Sequence, residues 1–111
     1  MSHLPPSLRE IADHAGENIA CAIAYLYGGA LWQVPSHVDA PAAERLVDLV
    51  GRGPVITLTL ALRGVRFSVP LARRAVILWL MKRGCGASEI ARDLKISQRT
   101  ARRYMRTARD R

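Results

Sequence analysis

The chain has 111 residues, half of them apolar, and a formal net charge of +8. This length predicts a single domain, or a small core with an appended unit, and so short a chain often gains stability by oligomerising. The longest apolar run, Val55 to Leu62, is too short to span a bilayer, and the N-terminus lacks a charged-then-apolar leader, so we expect a cytoplasmic protein without membrane contact.

Charge is distributed unevenly along the chain. Residues 1–60 contain three basic and six acidic residues, a net charge of −3, whereas residues 61–111 contain fourteen basic and three acidic residues, a net charge of +11. This asymmetry indicates a polyanionic partner, because neutralising phosphates releases condensed counterions and supplies most non-specific affinity. A membrane surface would attract the same charge, but the basic C-terminal helix has no bulky apolar face left over for it.

The sequence contains no pattern of metal-binding or catalytic residues. Cys21 and Cys85 share no short spacing and have no neighbouring His, so we expect reduced thiols and neither a zinc site nor a redox pair. His14 and His37 are isolated and are interpreted as surface residues. Scattered Ser, His and Asp residues form no recognisable motif, and a Gly-rich phosphate loop is missing, so we expect no enzyme activity, no metal and no cofactor.

The N-terminal third is predicted to contain a helix followed by a strand. Residues 1–7 form a short arm in which Ser7 can cap the next element. Apolar residues then recur at spacings of three and four from Leu8 to Tyr27, which predicts one helix of about five turns that ends at Gly28-Gly29. Ala30 to Val34 is predicted to be a short strand.

Alternating helices and strands continue toward the C-terminus. Pro41 to Val50 is predicted to be a short helix with Pro near its first position. Val55 to Leu62 is ambiguous: its alternation and β-branched content favour a strand, while a helix between Pro54 and Gly64 is slightly preferred. Val65 to Val69 is predicted to be a second strand, and Leu71 to Arg83 a helix that ends at Gly84.

Two segments of the chain resemble each other. Ile19 to Pro35 and Val55 to Pro70 both consist of an apolar run, a Gly stop, a strand centred on an aromatic residue and a Pro. The preference for a helix at Val55 to Leu62 follows from this similarity, which indicates a duplication. An isolated strand needs a partner for its backbone groups, and these two strands could pair within one chain, across a dimer, or both.

The C-terminal segment has the pattern of a helix-turn-helix. Ser88 to Leu94 is a short amphipathic helix, Lys95-Ile96-Ser97 a tight turn, and Gln98 to Arg109 a second helix with Ser97 as its N-cap. One apolar set is expected to hold the two helices together: Ile90, Ala91, Leu94, Ile96, Ala101 and Tyr104. This spacing resembles the helix-turn-helix family of DNA-binding proteins, with Lys95 at the turn position where Gly is usual because it takes a positive φ.

Two stretches, Asn18 to Pro35 and Ser88 to Arg106, resemble the middle-operon-regulator (Mor) family of transcription activators of Mu-type phages. The resemblance implies a mainly α fold with one or two short β-strands. It implies an N-terminal helix/strand dimerisation region, here residues 1–70, followed by a helix-turn-helix DNA-binding region, here residues 71–111. The hydrophobic helix and at least one strand are then expected in a homodimer interface.

These observations predict a sequence-specific DNA-binding transcription regulator, phage- or prophage-derived, that binds an inverted-repeat site in double-stranded DNA as a homodimer and contacts RNA polymerase. The DNA-binding subunit of a transposition or recombination complex is the alternative. The residues expected to face the major groove are polar or basic and lie on the second helix: Gln98, Arg99, Arg102, Arg103 and Arg106. The residues expected nearer the phosphates are Ser88, Thr107 and Arg109, and Ser97 and Thr100 complete the candidate DNA-contacting set.

Overall fold

The computed structural model describes residues 4–109. As the sequence predicts, this part of the chain is mainly α-helical with short strands, and these strands form a two-stranded antiparallel sheet. It forms two compact units, Leu4–Ala72 and the segment from Arg73 onward.

The first unit alternates helices and strands. Its elements, in chain order, are α1 (Pro6–Ala15), α2 (Glu17–Tyr27), β1 (Leu31–Gln33), a 3₁₀ turn (Pro41–Ala43), α3 (Glu44–Val50), α4 (Arg52–Leu62) and β2 (Arg66–Ser68). Val55 to Leu62 is therefore helical, which decides between the two interpretations of that segment. The helix begins at Arg52, earlier than Pro54, because Pro is tolerated in a first turn where backbone N–H groups have no helical acceptor.

The prediction of one continuous helix from Leu8 to Tyr27 is wrong. Gly16 has φ 102° and ψ 160°, far outside the helical region, and its N–H donates to the carbonyl of Ala12 at 2.8 Å to close α1. The predicted capping role of Ser7 is also wrong. The helix begins at Pro6, so Ser7 lies inside the first turn, and Pro5 occupies the N-cap position.

The same break recurs later in the chain. Gly51 separates α3 from α4 with φ 86° and ψ 170°, and its N–H donates to the carbonyl of Val47 at 2.8 Å. Each residue of the first helix–helix–strand segment corresponds to the residue 35 positions later, as Gly16 does to Gly51. The unit is therefore a tandem repeat, longer than the sequence similarity indicated: α1, α2 and β1 are repeated as α3, α4 and β2.

The two strands pair with each other inside the chain. β1 and β2 are antiparallel, with Trp32 opposite Phe67 at the centre of the register. The flanking hydrogen bonds are reciprocal: Gly29 N–H donates to Val69 O at 2.7 Å, and Gly64 N–H, one repeat later, donates to Val34 O at 3.0 Å. An approximate two-fold axis therefore relates the two repeats. Of the pairings that the sequence left open, the one within a single chain is present.

Equivalent positions of the two repeats build a common core. α1 packs against α2 and α4, and α2 packs against α3. The matched buried pairs are Leu8 and Ala43, Ile11 and Leu46, Ile23 and Leu58, and Trp32 and Phe67. Fully burying a Leu, Ile or Phe side chain stabilises a fold by roughly 1.5–3 kcal/mol. The apolar side of the predicted Leu8 to Tyr27 helix is thus already covered within one chain.

The repeats have also diverged. Arg52 Nη1 donates to Asp39 Oδ1 at 2.7 Å in the second repeat, where the first repeat has Glu17 and Leu4 at the corresponding positions. This hydrogen bond and the guanidinium charge lower the pKa of Asp39 below its ordinary value. Both side chains are exposed, so the pair contributes little to stability.

The two repeat glycines are expected to respond alike to substitution. Among the described residues no atom lies within 4 Å of a Cβ added at Gly16 or Gly51, so Ala meets only backbone strain. Gly16→Ala and Gly51→Ala should each lower the free energy of unfolding by about 1–3 kcal/mol, because both glycines adopt a backbone conformation that is essentially restricted to glycine. Arg45→Ala is the control: Arg45 is exposed on α3, and its replacement should change the free energy of unfolding by less than about 0.5 kcal/mol. Denaturant unfolding measures all three, and a neutral result at Gly16 or Gly51 would contradict the strained break.

Candidate nucleic-acid interface

The second compact unit contains the predicted helix-turn-helix. Its helices are α5 (Arg73–Lys82), α6 (Ala87–Leu94) and α7 (Gln98–Arg109), and α7 packs against both of the others. α5 begins after Ala72 rather than at Leu71, because Ala72 has φ 48° and cannot belong to a right-handed helix. The N–H of Gly86 donates to Glu89 Oε1 at 2.9 Å and fixes the start of α6.

The turn between α6 and α7 has the conformation that the sequence predicts. Lys95 is left-handed, with φ 58° and ψ 45°, and ends α6. The next residue, Ile96, donates its N–H to the carbonyl of Ala91 at 3.0 Å. A left-handed residue with a side chain costs roughly 1–2 kcal/mol, so the turn is held against this strain by the packing on either side.

Ser97 is the N-cap of α7, as predicted. Its Oγ accepts from the N–H of Thr100 at 3.0 Å and donates to the Thr100 hydroxyl at 2.9 Å. Thr100 is half-buried, whereas Ser97 is exposed. These two members of the candidate DNA-contacting set are therefore already hydrogen-bonded to each other and fix the start of the helix.

The predicted apolar set between the helices is present, with graded burial. Ile90, Ala91 and Ala101 are buried. The half-buried members are Leu94, Ile96 and Tyr104. The sequence analysis missed Ala108, which is also buried. Its spacing of seven residues from Ala101 was the signal, because two helical turns return a residue to the same side.

The opposite side of α7 is polar, basic and exposed. Its members described with their side chains are Gln98, Arg99, Arg102, Arg103, Arg106 and Thr107. We call these residues the α7 face. The side chain of Arg109 lies outside the described part of the chain. Ser88, near the start of α6, is exposed.

Hydrogen bonds order part of the α7 face. Arg102 Nη2 donates to Gln98 Oε1 at 3.1 Å, one turn earlier. The guanidinium of Arg103 lies 5.9 Å from the ring centroid of Tyr104, and the Thr107 hydroxyl donates to the backbone carbonyl of Arg103 at 2.9 Å. Thr107 is thereby partly engaged by its own helix, while the Gln98–Arg102 pair presents a planar amide beside a planar guanidinium.

The positive charges on α7 destabilise the helix itself. Its first turn carries Arg99 and contains no acidic residue. Basic side chains at a helix N-terminus oppose the macrodipole, which typically costs about 0.3–1 kcal/mol. Four arginines on the α7 face also repel one another. An anion bound on this face would neutralise the arginines.

The Cys85 thiol of this unit is not activated. Burial raises the pKa of the Cys85 thiol, and the charges of Glu89 and Asp93 raise it further. The side chain therefore stays a neutral thiol at pH 7, a poor nucleophile and metal ligand. Within residues 4–109, no group of three or more His, Cys, Asp or Glu residues is placed to hold a metal ion.

Comparisons with models of protein families, with curated proteins and with solved structures found no match to this chain. In the part of the chain that the structure describes, every helix is too short or too polar to cross a membrane.

Proposed function

We propose that this protein is a sequence-specific DNA-binding transcription regulator that inserts α7 into the major groove. It acts in the cytoplasm as a homodimer on an inverted-repeat site in double-stranded DNA, in the manner of the phage activators that its sequence resembles, with RNA polymerase as a further partner. The observation that carries the proposal is the α7 face, an exposed basic surface on a helix fixed by Ser97, the Lys95 turn and packing against α5 and α6.

The residue types on the α7 face suit base recognition. Arginine can donate two hydrogen bonds to guanine O6 and N7, and glutamine can pair with adenine N6 and N7. Gln98, Arg102 and Arg106 follow one another at intervals of four residues and form one ridge along the helix, which can follow the floor of the groove. Arg99 and Arg103 form the neighbouring ridge. Ser88 is suited to a phosphate contact that positions the protein, and Thr107 can make one when its hydroxyl leaves the Arg103 carbonyl.

Arg102→Ala should separate base reading from phosphate contact. If Arg102 reads a base, its loss should weaken binding to a selected site by about 1–3 kcal/mol and relax the preference at one position, with a much smaller effect on random DNA. Arg99→Ala tests the neighbouring ridge in the same way. Fluorescence anisotropy on a site selected from random sequences, at fixed salt, measures both variants.

Arg63→Ala is the matched control, because Arg63 is an exposed arginine in the other compact unit and its removal changes the net charge equally. It should leave the preference between selected and random DNA unchanged. Equal weakening of Arg102→Ala on the two DNAs would limit Arg102 to phosphate contact. A chain with no preferred site after selection would contradict sequence-specific binding.

A further inference from the structure

Helices α2 and α4 occupy equivalent places in the two repeats but are not equally covered. Both are apolar on all sides, and such a helix is normally buried all round. α2 follows this rule, since every residue from Ile19 to Ala24 is buried. α4 does not: its inner side is buried through Val55, Leu58 and Leu62, while the opposite side is open to solvent.

The open side of α4 is an apolar strip two helical turns long. Its members, which we call the α4 face, are exposed and uncharged: Ile56, Thr57, Leu60 and Ala61. Leu60 is 71 % exposed and Ile56 38 % exposed. Their counterparts in the first repeat are half-buried Tyr25 and buried Cys21. The same surface is therefore buried or half-buried in the first repeat and exposed in the second.

Charge indicates which molecule can cover the α4 face. The sequence contains no acidic or basic residue from Gly53 to Leu62, between Arg52 and Arg63. Two copies of this chain repel each other mainly through residues 61–111, whose net charge is +11, whereas residues 1–60 carry a net charge of −3. An uncharged apolar strip is where two such chains approach with the least repulsion. An acidic partner, by contrast, would find no counter-charge on this face.

The shape of the α4 face also suits a copy of itself. Large side chains at Ile56 and Leu60 lie beside smaller ones at Thr57 and Ala61. When two such helices cross about a two-fold axis, the large residues of each fit over the small residues of the other, because an isologous contact uses the same patch twice.

Two other elements expected to form a dimer already have partners within the chain. β1 and β2 pair with each other, and Ile19 and Ile23 are fully buried in the core of a single chain. We therefore propose that a second copy of this chain docks on the α4 face, with α4 against α4 about a two-fold axis. The role of this dimer rests on the proposed function, because the dimer would bring two α7 helices to one DNA site. The contacts that form the dimer involve α4 alone.

Leu60→Asp tests the interface in the full-length chain. Leu60 is exposed, so the substitution should leave the circular dichroism spectrum and the melting temperature of the separated chains unchanged. A carboxylate at the centre of an apolar interface should raise the dimer dissociation constant roughly 30-fold or more. Leu31→Asp is the control, because Leu31 is 70 % exposed but lies on β1, and it should leave the constant unchanged. Sedimentation equilibrium measures each constant, and a wild-type monomer at all concentrations, or a dimer indifferent to Leu60→Asp, would overturn the proposal.

Disulfide trapping gives a second readout that does not depend on stability. In a Cys85→Ser background, Thr57→Cys and Leu60→Cys are placed singly in the α4 face and oxidised. At least one should form a covalent dimer, since a disulfide needs Cα atoms within roughly 7 Å, which a close helix crossing provides. Leu31→Cys should not. Failure of both α4 variants, or equal trapping through Leu31→Cys, would refute the α4 crossing.

DNA binding separates this inference from the proposed function. Leu60→Asp should keep the affinity of the chain for a single half-site and lose the additional affinity for the inverted repeat. A chain that dimerises through α4 and binds no DNA would contradict the proposed function and leave the dimer standing. If Leu60→Asp leaves the affinity for the inverted repeat unchanged, the α4 dimer is contradicted and the proposed function is not.

Discussion

Affinity for DNA should fall by about 10³–10⁵ between 50 and 200 mM salt, the loss typical of a protein that neutralises roughly 6–10 phosphates. The reason is the concentration of charge: the net charge of residues 61–111 is +11, and four arginines lie on the α7 face. Each neutralised phosphate releases a condensed counterion, and added salt reduces the entropy gained by that release. Anisotropy titrations on a short duplex at several salt concentrations give the slope of log affinity against log salt.

Charge-removing variants assign that slope to residues. Arg103→Gln and Arg106→Gln keep polar side chains on the α7 face. If the replaced arginine neutralises one phosphate in each subunit of the bound dimer, each substitution should lower the slope by roughly two. Arg63→Gln, in the other compact unit, should leave the slope nearly unchanged. Binding that is indifferent to salt would rule out the nucleic-acid proposal, because sequence-independent phosphate contacts underlie all such complexes.

Ile90→Asp should abolish specific DNA binding by unfolding the helix-turn-helix. Ile90 is fully buried in α6, and an unpaired carboxylate at such a position costs several kcal/mol. That cost is a large part of the stability of a small domain, typically about 5–15 kcal/mol. Without a folded α6, α7 loses its support, and affinity for the selected site should drop by roughly 10³ or more, to the non-specific level.

The two tryptophans make this prediction easy to follow, because each compact unit contains one. Trp79 is 7 % exposed, with the Arg83 guanidinium 4.7 Å from its ring centroid, and Trp32 stacks on Tyr27 at 5.3 Å. In single-tryptophan variants, Ile90→Asp should shift the emission of Trp79 to the red. Ser88→Asp is the control on the same helix, where an exposed acid in the first turn favours folding. A native Trp79 spectrum in Ile90→Asp would contradict the burial of Ile90.

Local sequence signals account for the candidate site. The helix-turn-helix is held by contacts among residues close in sequence, so the α7 bounds and the Ser97 cap follow from spacing. The left-handed Lys95 follows from the resemblance to the helix-turn-helix family. The inner position of Ala108 was equally readable from its spacing. The exposed position of the arginines could also be predicted, because the apolar residues of α7 occupy the inner positions.

The first unit was harder to predict because its decisive features are long-range. Apolar spacing continues across Gly16 without a change of period, and a single glycine inside a helical pattern is usually tolerated. Nothing local distinguishes Gly16 from such a glycine. The match to Gly51 reveals the break only when the chain is aligned with itself at 35 residues, and few residues are identical in that alignment. The strand pairing joins residues more than thirty positions apart, which local patterns cannot report.

Because β1 pairs with β2 within one chain, the two strands can accumulate mutations separately. When identical strands from two chains pair, every mutation enters the sheet twice, and a charged residue near the axis confronts its own copy. Here each strand is encoded separately, so a mutation enters once. Leu31 lies opposite Ser68 and Gln33 opposite Arg66. In a strand paired with its own copy, neither residue of such a pair could change without the same change in the partner strand. The sheet also persists at any dilution, because its two strands are tethered and cannot diffuse apart.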